Sequence, residues 1–128
     1  MNNKVKKRLI ALSHKLYHVP EGKNKHFSFI LDKNKIVAFG TNDGFKTHPK
    51  AKELQYRFCA IHSELSAILR YRGKDKDFSH FTLVNVRINH DKNLGMSKPC
   101  EICQQLIESL GFAKVFYTDY NGQFIRYK

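Results

Sequence analysis

Two short runs of this chain carry residue types that together suit the activation of water. His62-Ser63-Glu64 sets an imidazole and a carboxylate two positions apart, and Pro99-Cys100-Glu101-Ile102-Cys103 sets two thiols at i and i+3. Structural zinc is almost always held by four protein ligands, whereas catalytic zinc keeps one position for water. His62, Cys100 and Cys103 offer three ligands, and Glu64 is left over as an unligated carboxylate. Two thiolates and a neutral imidazole bring a Zn²⁺ site near zero charge, and water held there is far more acidic than bulk water. A carboxylate beside such a site is placed to move that water's protons.

The spacing sets a geometric condition. In mid-helix, residues 62 and 64 would diverge by about 200°. They can address one metal only at a helix start, with the ion off the end. The second run has the punctuation of a helix start, because Pro99 precedes the thiols and Gly111 follows the helical run from Cys100 to Leu110. A positive helix end there favours both thiolates. Three other readings stay open. Cys59, three residues before His62, is a candidate fourth ligand, although Phe58-Cys59-Ala60-Ile61 reads as apolar packing. A CxxC also serves redox chemistry or structural zinc, but neither explains His62-Ser63-Glu64.

Several elements must hold these residues in place. Val5, Leu9, Leu12, Leu16 and Val19 recur at helical spacing until Pro20. Phe27–Leu31 reads as a strand, Asp32-Lys33-Asn34 as a tight turn and Ile36–Phe39 as the hairpin partner. Gly40–Lys52 reads as a polar loop. A helix follows with Ile61, Leu65, Ile68 and Leu69 toward a core, ended by Gly73. Phe81–Ile88 is a third strand, Asn89–Lys98 a loop, Lys114–Thr118 a fourth strand and Phe124–Tyr127 a fifth. Asn121-Gly122 predicts an antiparallel hairpin between the last two. The expected fold is a three-layer α-β-α sandwich around a five-stranded mixed sheet, one domain over residues 1–128.

Composition bounds the setting. Three cysteines, an odd number, argue against a disulfide framework and for a reducing compartment. No apolar run is long enough to span a membrane, and the N-terminus lacks an apolar signal core, so a cytoplasmic protein is expected. Lys and Arg number 23 against 11 Asp and Glu, a net charge of +12. That suits a phosphorylated or polyanionic partner, yet the excess is scattered rather than gathered in a stripe. His14, His18, His26, His48, His80 and His90 show no spacing that suggests a second metal.

The ordered pair of motifs, H-x-E then P-C-x-x-C, resembles the signature of the zinc nucleobase deaminases. From about His26 onward the chain resembles the cytidine deaminase superfamily, whose members act on nucleosides, deoxycytidylate, tRNA or polynucleotides. The resemblance implies one Zn²⁺ held by His62, Cys100 and Cys103, with Glu64 as proton shuttle. Ile36-Val37-Ala38-Phe39-Gly40-Thr41-Asn42 resembles the family segment that ends in a substrate-binding Asn, which makes Asn42 a candidate contact; an ordinary Asn42-Asp43-Gly44 turn is the alternative. Ser63 stands where the family usually has Ala, at a position that contacts the base. Lys98 stands where a small or aromatic residue is common, and either meets a substrate phosphate or points into solvent. A His ligand in the first motif resembles deoxycytidylate and polynucleotide deaminases, whereas the terminal hairpin resembles the nucleoside type. Homo-oligomers are common among such enzymes.

Three functions follow. The first is deamination of a free cytosine nucleotide or nucleoside, foremost dCMP, with Lys46, Arg57 or Lys98 near a phosphate. The second is deamination of cytosine, or adenine, in single-stranded DNA or RNA. Tyr56-Arg57-Phe58, Tyr71-Arg72 and Phe124-Ile125-Arg126-Tyr127-Lys128 would then supply stacking and charge, unless those aromatics fill a core. The third is a non-catalytic, zinc-stabilised binding module, which would have no need of Glu64. Tyr117, Thr118 and Tyr120 follow the fourth strand and either border the pocket or belong to the sheet.

Overall fold

The structure is a computed structural model that describes residues 1–17, 25–47, 60–74 and 77–128, with backbone alone for 43–47 and 60–61. Helix α1 spans Asn3–Leu16; the Asn2 side chain caps it by accepting from the Val5 N–H at 2.9 Å. Val5 and Leu9 are buried on its inner face, as their spacing predicts. Val19 and Pro20 lie outside the described residues.

Strands β1 (Lys25–Asp32) and β2 (Lys35–Thr41) form the predicted antiparallel hairpin, closed by Lys33-Asn34 with Lys33 at φ 57°. β1 also pairs antiparallel with β5 (Phe81–Ile88), and β5 pairs in parallel with β7 (Lys114–Thr118). A parallel pair needs a crossover, which α3 (Glu101–Leu110) supplies. β7 turns back antiparallel into β8 (Phe124–Arg126), with Gly122 at φ 75° in the turn, as Asn121-Gly122 predicts.

The mixed sheet runs β2-β1-β5-β7-β8, the five strands read from sequence. Two features lie where loops were expected. Leu94–Gly95 forms a short sixth strand, β6, on the end of β5. Asp43–Thr47 (β3) pairs with Ala60–Ile61 (β4), so part of the expected polar loop is a second small ladder, and Ile61 belongs to a strand rather than a helix. Helix α2 is therefore shorter than predicted, Ser63–Arg70.

Both faces of the sheet are covered. α1 packs Val5 and Leu9 against Phe27, Phe29, Leu31, Val84, Val86 and Ile88. On the other face Ala67 of α2 and Ile107 of α3 meet Ile30, Leu83 and Val115, closed by Phe78, Phe81 and Phe112. Leu69 departs from its predicted inward face: it is 42% exposed, one residue from the end of α2. Among the described residues no helix is long and apolar enough to cross a membrane.

Candidate functional site

Two contacts fix where α2 starts. Gly40 on β2 has no side chain where the helix crosses it, and a Cβ there would strike the backbone nitrogen of Ala67. Leu65 of α2 packs with Cys103 and Leu106 of α3, so the two helices lie against each other. Their N-termini carry the two motifs.

His62 is the N-cap of α2, in extended conformation at φ −81° and ψ 157°. This meets the geometric condition, because the imidazole leaves the chain before the helical turn begins and Glu64 stands within the first turn. Cys100 is the N-cap of α3, and its sulfur accepts from the Cys103 N–H at 3.5 Å. His62 Nδ1 lies 3.5 Å from Cys100 Sγ and 3.7 Å from Cys103 Sγ. One donor atom from each residue falls within a 4.8 Å cluster. With Zn–S near 2.3 Å and Zn–N near 2.05 Å, tetrahedral geometry puts N and S about 3.6 Å apart. The observed separations fit a tetrahedral zinc that has two sulfurs and one nitrogen among its ligands. Cys59 lies outside the described residues.

The electrostatics of Cys100 agree with that fit. A hydrogen bond from Cys103, then contacts with His62 and the Cys103 N–H, hold the Cys100 thiol down to about 4. A thiolate is the form that binds metal. The Cys100 contact raises His62 above its ordinary value, against the effect of burial.

Glu64 is 5% exposed. Burial pushes its carboxyl above the usual range, opposed by its own backbone N–H and the Asn85 amide. The Asn85 amide nitrogen donates to Glu64 Oε2 at 3.0 Å and to the Ser97 carbonyl at 3.1 Å. Ser28 donates to Asn85 Oδ1 at 2.6 Å. The Ser63 hydroxyl lies 3.1 Å from Glu64 Oε1 and 2.7 Å from the Ser28 hydroxyl. Among the described residues no buried side-chain nitrogen or oxygen lacks a partner.

Ser97 fixes the loop that delivers Cys100. It sits between β5 and β7, donating its hydroxyl to the Asn85 carbonyl at 2.9 Å and accepting the Thr118 N–H at 2.7 Å. The Ser97 N–H reaches the Thr118 carbonyl at 2.8 Å. Thr118 in turn donates its hydroxyl to the Gly95 carbonyl at 2.7 Å.

Asn42 closes the end of the β1–β2 ladder, its Oδ1 accepting from the His26 N–H at 2.9 Å. Ser63 is 2% exposed and turns its hydroxyl into the buried network. Lys98 is exposed two residues before Cys100. Arg57, with Tyr56 and Phe58, lies outside the described residues, as does the side chain of Lys46. Tyr71 packs on Phe78 and Phe81, and Tyr127 packs against the same core with its hydroxyl toward Gln104, so both have the core role. Tyr117 is a half-buried sheet residue, and Tyr120 is 80% exposed.

Ser28, Asn85 and Ser97 escaped the sequence reading. The only signal was a polar residue inside an apolar strand, Asn85 in Leu83-Val84-Asn85-Val86 and Ser28 in Phe27-Ser28-Phe29.

Residues 2–119 match the family model described as the cytidine and deoxycytidylate deaminase zinc-binding region. No curated protein matches the chain in sequence. Among solved structures, a cytidine deaminase from Burkholderia pseudomallei is similar at TM-score 0.64 and 16% identity, over 98% of this chain and 91% of that one. A dCMP deaminase from the cyanophage S-TIM5 is similar at TM-score 0.56 and 18% identity, over 94% and 86%. A cytidine deaminase from Mycobacterium leprae is similar at TM-score 0.51 and 16% identity, over 97% and 91%. At these identities the likeness is one of fold.

Proposed function

Because this chain belongs to the family defined by the cytidine and deoxycytidylate deaminase zinc-binding region, we propose that it is a zinc-dependent hydrolase converting a free cytosine nucleotide or nucleoside, foremost dCMP, to its uracil form. The observation that carries the reading is the convergence of His62, Cys100 and Cys103 at zinc-ligand separations, with the buried Glu64 carboxylate in the first turn of the helix that His62 caps.

His62, Cys100 and Cys103 would hold the zinc, which when bound supplies a Lewis acid that makes water acidic near neutral pH. Glu64 takes a proton from water as its oxygen bonds to C4 of cytosine, and gives that proton to N3. It then carries the second water proton to the exocyclic nitrogen as the C4–N bond breaks. Water is consumed, and uracil and ammonia are the products. Positioned acid–base groups of this kind contribute about 10²- to 10⁴-fold in rate. Burial suits Glu64 to the task by raising the carboxyl's affinity for the proton it must hold between transfers.

Asn42 and exposed Lys98 are the proposed substrate contacts, Lys98 for a phosphate. Ser63 contributes through its backbone, since its hydroxyl is turned inward. The net charge of +12 also favours action on single-stranded nucleic acid. The core packing of Tyr71 and Tyr127 removes two of the stacking residues which that reading needs.

A deamination screen by mass spectrometry tests the proposal. Zinc-loaded protein is offered cytidine, deoxycytidine, CMP, dCMP, adenosine and cytosine-containing oligonucleotides, with Glu64→Ala as the blank. Turnover of a free cytosine nucleotide or nucleoside is expected. Turnover confined to oligonucleotides, or none on any substrate, overturns it.

A further inference from the structure

We propose that Asn85, backed by Ser28, is the positioning residue for the Glu64 carboxylate; this rests on the reading of Glu64 as the proton shuttle. Glu64 lies near the start of an eight-residue helix, on a side chain with three rotatable bonds. A general acid–base group works only within hydrogen-bond reach of the atoms it serves. Something must hold it.

Asn85 is placed to do so. It lies in the middle of β5, the central strand of the β2-β1-β5-β7-β8 order, and is 3% exposed between Val84 and Val86. A buried amide is costly unless its hydrogen-bonding groups are paired. This one is paired throughout, and the pairing fixes its orientation. The amide nitrogen faces a carboxylate oxygen and the Ser97 carbonyl, at 3.0 and 3.1 Å, and the Ser97 carbonyl can only accept. Oδ1 therefore faces the Ser28 hydroxyl at 2.6 Å. The amide is held on one side by β1 and on the other by the loop that carries Cys100. From that clamp it grips Glu64 Oε2, while the Ser63 hydroxyl faces Oε1.

The arrangement links the two motifs through one side chain. Ser97 is three residues before Cys100, so the group that orients the carboxylate is anchored to the segment that brings in the thiols. An apolar residue at position 85 would pack with the rest of β5 but leave Glu64 Oε2 without this donor.

The test uses zinc-loaded full chain with Asn85→Leu, close in volume but lacking the amide, and Ser28→Ala, which removes only the backing hydroxyl. Zinc content, kcat and KM on a substrate found by the screen, and a crystal structure of each variant are the readouts. Asn85→Leu is expected to keep its zinc, shift KM little, lower kcat by about 10²-fold as misplacement of a reacting group does, and show the Glu64 carboxylate displaced. Ser28→Ala moves kcat in the same direction by less. A variant with zinc, carboxylate and kcat all as in wild type overturns the proposal. So does a loss of kcat that only follows loss of zinc. Should the wild-type protein deaminate nothing, the function fails, and Glu64's place in the variant structures still decides the positioning. If Asn85→Leu does not fold, Ser28→Ala decides by the same readings.

Discussion

Replacing His26 by Gln should flatten the acid limb of the stability curve. His26 lies on β1, directly across from Arg87 on β5, with its backbone tied to Asn42. Burial, then the charges of Arg87 and His62, push the imidazole down from 6.5 to about 4. As pH falls below 6.5 the unfolded chain takes up this proton while the native protein refuses it. Stability is therefore complete above pH 6.5 and drains away until the native group titrates near pH 4. Each pH unit over which the unfolded chain holds the proton and the native protein does not costs about 1.4 kcal/mol, so the loss between pH 7.5 and pH 5 is about 2 kcal/mol. The ring is partly exposed, and solvent screening lowers that figure to about 1–2 kcal/mol. Urea unfolding of zinc-loaded wild type and His26→Gln at pH 7.5, 6.5, 5.5 and 5.0 reads this directly, because proton competition for the zinc ligands cancels in the difference. The gap between the two proteins should change by about 1–2 kcal/mol over that range, wild type losing more. Parallel curves would refute the reasoning, showing either that His26 is solvated or that Arg87 is screened from it.

Cys103→Ala should drop zinc content far below one per chain and lower the melting temperature, since two donors cannot hold the ion; full retention by elemental analysis would remove Cys103 from the ligand set. Gly40→Ala drives a methyl into the α2 backbone and should cost about 1–3 kcal/mol in urea unfolding; an unchanged midpoint would mean that α2 does not dock so closely. Phe78→Ala empties a site walled by Tyr71, Phe81 and Phe112, at ring-centroid distances of 5.4, 6.0 and 5.2 Å. It should cost about 3–5 kcal/mol, and a loss under about 1 kcal/mol would place that cluster outside the folding core.

The site's donors were legible because their chemistry is local. Residue type and spacing name His62, Cys100 and Cys103, and the angle between positions 62 and 64 alone requires a helix start, where His62 is found. Strands that alternate or run apolar, such as Phe81–Ile88 and Lys114–Thr118, were legible to their bounds. β3 and β6 were not, because Asp43–Thr47 and Leu94–Gly95 carry no hydrophobic period and owe their conformation to a partner strand. Leu69 misled because helical periodicity assumes a helix long enough to have a buried far turn, and α2 ends at Arg70. The Ser28–Asn85 support could not be read from spacing at all. Its members, 28, 63, 64, 85 and 97, belong to four separate stretches of chain that only the sheet brings together.

The loop of contacts from Glu64 through Ser63, Ser28 and Asn85 back to Glu64 has an odd inventory of hydrogens. Asn85 spends one amide hydrogen on Ser97, which leaves one for Glu64 Oε2. The Ser63 hydrogen goes to Glu64 Oε1. The single Ser28 hydrogen must therefore choose between Asn85 Oδ1, which can only accept, and Ser63 Oγ. Three hydrogens then serve four contacts. The shortfall falls at Ser28, the one member that does not touch the carboxylate, while each carboxylate oxygen keeps a donor of its own. The carboxyl proposed as the proton shuttle is thus framed to receive two hydrogens in its ionised form, against the burial that favours its protonation.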